Sequence, residues 1–530
     1  MRKAPIPSCL FYVIFLYIII LVFPTCSNVK THNEKEVGAK KKPIIFLLKG
    51  DGVEVSLIFN EVASTIYLLD VLSGFSGGNR SSIEMTRKEL EKIYSNPGEV
   101  GILLKKYADI RKKYDYLMDR KRSGDYYDIS LLDAPVPVSP SWVEYNPASN
   151  INTLASRVES WKEFWNYANL LMNQGDKEVL HDIVEKLLPS VRSLFKECSG
   201  IYGIPGEAGS KIEKSPMLFL LGRIMKFYGL DSGKNSLLKI GVNFVPVFGN
   251  GETTYAVNKN GTIYIESQVC MEMGNESVRL PLDVVFHEAV HTVERSISKE
   301  KWEKIARRYF ISGLRSLSAG WWIYNEALAT AFGQGIFLKR YEKRKFEEKM
   351  RIVLGLYRDK EIDNYARLLI PQLEEKLEKG GSLDEFSAEG GRVFTLLTSP
   401  DISASYYLKK GVLFSGCEYL DKVKEVFHFH GSDLFWAYKF EDSDEGLKFF
   451  EKYAGISGVI FSQGKDMEKA EAIFSRMGCD SVETLISENE MDKFRIIIKR
   501  GKRLLSGYVY FVYVSDDSLI EKSANLLFSN

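Results

Sequence analysis

His287-Glu288-Ala289-Val290-His291 limits what this chain can be more than any other stretch of it. Four residues span about one helical turn, so the two imidazoles lie above one another on one face and can bind a single metal ion. Imidazole nitrogen suits a borderline cation such as zinc. Glu288, beside the first imidazole, is placed to take the proton of a metal-acidified water as that water attacks a carbonyl. Two histidines packed into a core for structural reasons alone would need hydrogen-bond partners of their own. The chain holds only 6 histidines in 530 residues, and this pattern arises by chance in about 1% of such chains or fewer.

A catalytic zinc takes three protein ligands and keeps one position open. Glu294 follows His291 by three residues but emerges farther along the same helix, where converging on the metal is difficult. A second helix supplies the ligand more easily. The run Tyr324-Asn325-Glu326-Ala327-Leu328-Ala329-Thr330 sets a carboxylate among small and apolar side chains, where it needs a metal or a strong hydrogen-bond partner. One zinc per chain on His287, His291 and Glu326, with Glu288 as general base, is the expectation.

A helix with His287, Glu288 and His291, followed 35 residues after His291 by Glu326 in an Asn-Glu-x-x-Ala setting, resembles the gluzincin clan of zinc peptidases. The resemblance spans about residues 240–340 and names a clan, not a family. It implies that the two histidines and Glu326 bind zinc, that Glu288 is the base, and that an edge strand, here Thr262–Glu266, pairs with extended peptide substrate. Other zinc classes fit worse: Glu294 and Ile297 stand where metzincins have Gly and His, and the inverted HxxEH motif is absent. Gluzincins also place a Tyr or His near the zinc to stabilise the oxyanion. No motif supplies that group here, which leaves Tyr324, Tyr406, Tyr407, His428 and His430 as candidates. Asn325 and Asp283 are candidates for orienting the ligands, and Gly333 and Gly335 for close packing or a helix end.

The N-terminus reads as an address. Arg2 and Lys3 precede an apolar run from Leu10 to Phe23, which matches an export signal and is short for a full membrane span. Cys26 lies where a bacterial lipoprotein signal carries its lipidated cysteine, although Phe23 and Thr25 depart from that pattern; cleavage after Ser27 is the alternative. The chain is therefore expected to be exported, to the periplasm or beyond, or held at a membrane through Cys26. With a net charge of +1 from 71 basic and 70 acidic side chains, it lacks the basic footprint of a nucleic-acid partner. Cys198, Cys270, Cys417 and Cys479 show no CxxC spacing and do not suggest a disulfide scaffold.

Along the rest of the chain, Ile44–Leu48 and Val53–Ile58 read as a hairpin around Gly50-Asp51-Gly52. Residues 61–199 are helical in pattern, interrupted by a four-proline loop at Ala134–Pro147. Val242–Phe248, Thr253–Val257 and Thr262–Glu266 read as an antiparallel meander, with a helix beginning after Pro281. Pro371 is expected to kink or break a helix over Glu361–Leu377. No internal repeat is evident. The expected class is α+β: a mostly helical multidomain protein with a gluzincin-like zinc metallopeptidase domain, in which the meander precedes the zinc helices. The segments are a signal (1–27), a polar tether (28–42), a mostly helical region (43–239), the metallopeptidase-like domain (240–400) and an α/β region (401–530). The expected activity is hydrolysis of peptide or protein substrates. A zinc-bearing envelope protein without catalysis, and a hydrolase of non-peptide amides or esters, remain as alternatives.

Overall fold

The computed structural model describes residues 44–75, 80–122, 128–131, 134–137, 149–197, 204–230, 238–248, 256–259, 262–269, 281–310, 316–397, 408, 410–416, 419–429, 433–452, 456–488, 494–501 and 508–529. The expected signal and tether lie outside these residues, as do Cys198, Cys270, Cys417, Tyr406, Tyr407 and His430. The chain is α+β, mostly helical with small mixed sheets. Among the described residues no helix is long and apolar enough to cross a membrane.

β1 (Ile44–Gly50) and β2 (Val53–Phe59) form the expected hairpin. Asp51 (φ 49°) and Gly52 (φ 80°) are both left-handed, as a two-residue turn matching strand twist requires. Val53, Val55, Leu57 and Phe59 alternate inward along β2. From here the chain makes a long helical excursion through α1 (Glu61–Leu72), α2 (Arg80–Ile93), α3 (Pro97–Arg122), α4 (Ser149–Arg157), α5 (Trp161–Ala168), α6 (Gln174–Glu197), α7 (Ile204–Glu213) and α8 (Met217–Phe227). Within it, β3 (Asp128–Leu131) and β4 (Ala134–Pro137) form a two-stranded ladder, so part of the expected proline loop is strand. Pro135 and Pro137 are tolerated because a strand paired on one side needs only some of its amides.

β5 (Leu238–Phe248) returns to pair with β2 in parallel. β6 (Ala256–Lys259) and β7 (Thr262–Val269) complete the sheet order β1-β2-β5-β7-β6. The three strands do not form the expected antiparallel meander. β5 pairs with β7 in parallel, and only β6 runs antiparallel to β7. Only two residues separate β6 from β7, which favours a hairpin, whereas seven residues separate β5 from β6. β6 consequently covers the outer side of Thr262–Ile265, so the expected edge strand is not an edge over those residues. Asn60 ties this sheet to the helices. It caps α1 by accepting from Ala63 N, while its own N–H donates to Asn243 Oδ1 on β5.

Pro281 opens α9 (Leu282–Arg295) as expected. α10 (Lys299–Tyr309) and α11 (Ser316–Thr330) follow. α11 runs without a break into a π-helical segment, Ala331–Phe337, and then α12 (Leu338–Tyr341). α13 (Lys343–Arg351), α14 (Lys360–Lys379) and α15 (Leu383–Leu397) complete this part. α14 continues through Pro371, so of the expected kink or break the helix does not show the break. Ile370, Leu373 and Leu377 are buried around the proline, and that packing offsets the cost of an interior proline, a lost hydrogen bond and a ring clash together worth about 3 kcal/mol or more.

The C-terminal unit holds β8 (Lys410–Ser415), α16 (Leu420–Phe429), β9 (Asp433–Lys439), α17 (Ser443–Lys452), β10 (Ser457–Gln463), α18 (Met467–Met477), β11 (Gly478–Glu488), β12 (Phe494–Gly501), β13 (Tyr508–Val514) and α19 (Ile520–Ser529). Its sheet order is β11-β12-β13-β10-β8-β9, with β9, β8, β10 and β13 parallel. Four strand–helix units therefore recur. Gly411-Val412-Leu413-Phe414-Ser415 before α16 and Gly458-Val459-Ile460-Phe461-Ser462 before α18 make the repetition visible in the sequence, where none was expected. The β11–β12 hairpin interrupts the period and hides it.

Candidate metal centre

Helix periodicity places His287 and His291 on the buried face of α9, one turn apart. Glu326 comes from α11, which crosses that face. The nearest separations are His291 Nε2 to His287 Nε2 at 3.1 Å, His291 Nε2 to Glu326 Oε1 at 3.0 Å, and His287 Nε2 to Glu326 Oε2 at 3.4 Å. One ligand atom from each residue lies within 4.8 Å of the other two. Bonds of about 2.1 Å at tetrahedral angles put ligand atoms about 3.4 Å apart, so these three residues could hold a metal ion.

The far sides of the imidazoles show how this group could favour a cation. His291 donates from Nδ1 to Glu294 Oε2 at 2.8 Å, and Tyr228 donates to the other carboxylate oxygen, Oε1, at 2.9 Å. His287 donates from Nδ1 to Gln334 Oε1 at 3.2 Å. With both Nδ1 atoms protonated, neutral rings turn two Nε2 lone pairs toward each other and toward a carboxylate. Such a cluster of acceptors repels itself unless a proton or metal ion joins it. Burial alone would lower the pKa of His291, but Glu326 and Glu294 outweigh it and hold the pKa well above the usual imidazole value. Burial likewise raises Glu326, and the two imidazoles outweigh that, leaving its carboxyl well below the usual range.

Glu288 is partly accessible beside the ligands. Burial of its carboxyl raises its pKa, the fields of His287 and His291 oppose that, and Glu326 adds to it. Asp283, one turn before His287, does not orient the ligands. It pairs with Lys349 at 3.0 Å and Lys345 at 3.3 Å, and although burial opposes them, these ammonium groups hold its pKa down.

Of the other candidates, Tyr324 lies two residues from Glu326, facing Tyr309, Trp321 and Tyr365, which makes it part of an aromatic core. His428 falls in the last turn of α16. Asn325 is fully buried, with neither end of its amide partnered. Glu294, Gln334, Tyr228 and Tyr357, whose ring lies parallel to His287 at 6.0 Å, complete the surroundings and were not expected there. For Glu294 a signal existed: a carboxylate three residues after His291 shares its buried face.

Gly333 sets the approach of the π-helical segment to α9. A Cβ there would lie 2.8 Å from Asp283 O and 2.9 Å from His287 Cβ. The chain matches no family model, no curated protein and no solved structure.

Proposed function

We propose that the protein is a zinc-dependent peptidase of gluzincin type. The observation that carries this reading is the convergence of His287, His291 and Glu326 from two helices, with an acidic residue, Glu288, beside them on α9. A nitrogen-rich set with one carboxylate suits zinc. Zinc, when bound, supplies a Lewis acid and lowers the pKa of a water. Glu288, beside these ligands, would be the general base that accepts a proton from an attacking water and returns it to the departing amine. Glu294 and Gln334 hold the two rings in the tautomer that leaves Nε2 free to ligate.

The test is metal content of the purified chain, paired with cleavage of a mixed-peptide pool by wild type and Glu288→Gln. One zinc in each protein, with cleavage in wild type falling about 1,000-fold or more in the variant, is the expected result. Zinc in both and cleavage in neither would favour a binding role or a non-peptide substrate. No zinc in either would remove the site.

A further inference from the structure

We propose that the loop tip Ile352-Val353-Leu354 and its cationic collar dock the protein onto an anionic lipid surface beside the metal centre. The tip departs from ordinary surface composition. Ile352, Val353 and Leu354 are consecutive aliphatic residues exposed to 59%, 81% and 42%, whereas scattered single apolar residues are the norm. α13, which leads into the tip, buries none of its residues.

The tip is held out firmly. Arg367 donates from Nη1 to Met350 O at 2.7 Å, and from Nη2 to Ile352 O at 2.7 Å and Lys349 O at 3.2 Å. Its ion-pair partner Asp363 accepts from Leu356 N at 2.8 Å and Tyr357 N at 2.9 Å. One buried carboxylate and one guanidinium thus clamp both ends of the loop. Within it Leu354 takes φ 62°, a backbone conformation that branched aliphatic residues avoid. A loop with no task is usually polar and loose, while this one fixes three aliphatic side chains in water.

Charge points to the occupant. Residues 343–360 carry seven basic and three acidic side chains, a net +4, in a chain whose total is +1. Lys345 and Lys349 are partly neutralised by Asp283, and Lys343 and Arg344 lie near glutamates on their own helix. Arg351, Arg358 and Lys360, which flank the tip, make no ion pair among the described residues. A short exposed apolar segment flanked in sequence by cations matches the boundary between acyl chains and anionic headgroups. Three side chains fall far short of the roughly 800 Å² per partner that a stable protein interface buries. Tyr357, three residues after the tip, stacks on His287, so docking would hold the metal centre close to the bilayer. Under the peptidase reading, its substrates would be segments presented at that surface. Docking itself needs no hydrolysis, and the Glu288→Gln chain should dock like wild type, so the two ideas can fail separately.

The experiment uses the full chain with vesicles containing a photoactivatable lipid, followed by mass-spectrometric mapping of adducts. In vesicles with about one phosphatidylglycerol in three lipids, adducts are expected on residues 350–358. They should fall about tenfold in neutral vesicles or in about 1 M salt. Val353→Asp should lower them about tenfold, leaving adducts on residues 1–27, the thermal midpoint and metal content unchanged. Adducts confined to residues 1–27, or tip adducts indifferent to lipid charge, would overturn the proposal. So would tip labelling abolished by the peptide pool, which would make the tip a peptide-binding element.

Discussion

A carboxylate behind a ligating imidazole fixes its ring and raises its basicity. Glu294 does this for His291, and Tyr228 in turn holds Glu294. Glu294→Gln keeps the shape but loses the charge, so metal affinity measured by chelator competition should weaken about 10- to 100-fold. Unchanged affinity would show that the contact is packing only. The candidate ligands were legible because helix spacing alone determines that His287 and His291 share a face. Glu326 was legible because a carboxylate in an apolar helix needs a reason. Tyr228 and Gln334 were not, since their roles depend on how α8 and the π-helical segment pack against α9, and no local pattern encodes that. Asp283 shows the converse. Its place in the first turn suits the helix dipole, while the two lysines that neutralise it come from α13, more than sixty residues away.

At the scale of elements, the continuous run from α11 through the π-helical segment presents two residues to one site: Glu326 against the Nε2 atoms of the two imidazoles and Gln334 behind His287. π-Helical turns are rare and concentrate at functional sites. Gly333 lets this segment meet α9 backbone to side chain, so Gly333→Ala should destabilise the protein by about 1–3 kcal/mol and reduce metal affinity. Gly335→Ala is a useful contrast. Its Cβ would lie 2.7 Å from Ile370 Cδ1 and Cγ1, an aliphatic side chain that can shift more easily than backbone. Thermal unfolding should rank Gly333→Ala as the more damaging, and the reverse order would mean that α9 yields. The sheet teaches a similar lesson about legibility. Turn residues announced the β6–β7 hairpin, but hydrophobic runs do not say which strand lies beside which, so the parallel β2–β5 and β5–β7 pairs stayed hidden.

For the whole molecule, Trp322 joins the metal centre to the C-terminal unit. It stands one turn before Glu326 on α11 and belongs to the same buried apolar cluster as Val412, Phe414 and Ile460. The region after residue 400 therefore buttresses the helix that carries Glu326. Trp322→Ala should destabilise the protein by about 3–5 kcal/mol and weaken metal binding at least severalfold. Intact metal affinity in a destabilised variant would show that the two parts are independent. The β2–β5 pair has a consequence for synthesis. β2 can form its hairpin with β1 as soon as residue 59 has emerged, but its other neighbour begins at Leu238. Throughout the making of residues 60–237 an apolar strand edge stands unpaired, open to the same edge of another nascent chain. A delay in elongation anywhere along that stretch would lengthen the exposure, and a chaperone that covers the hairpin would shorten it.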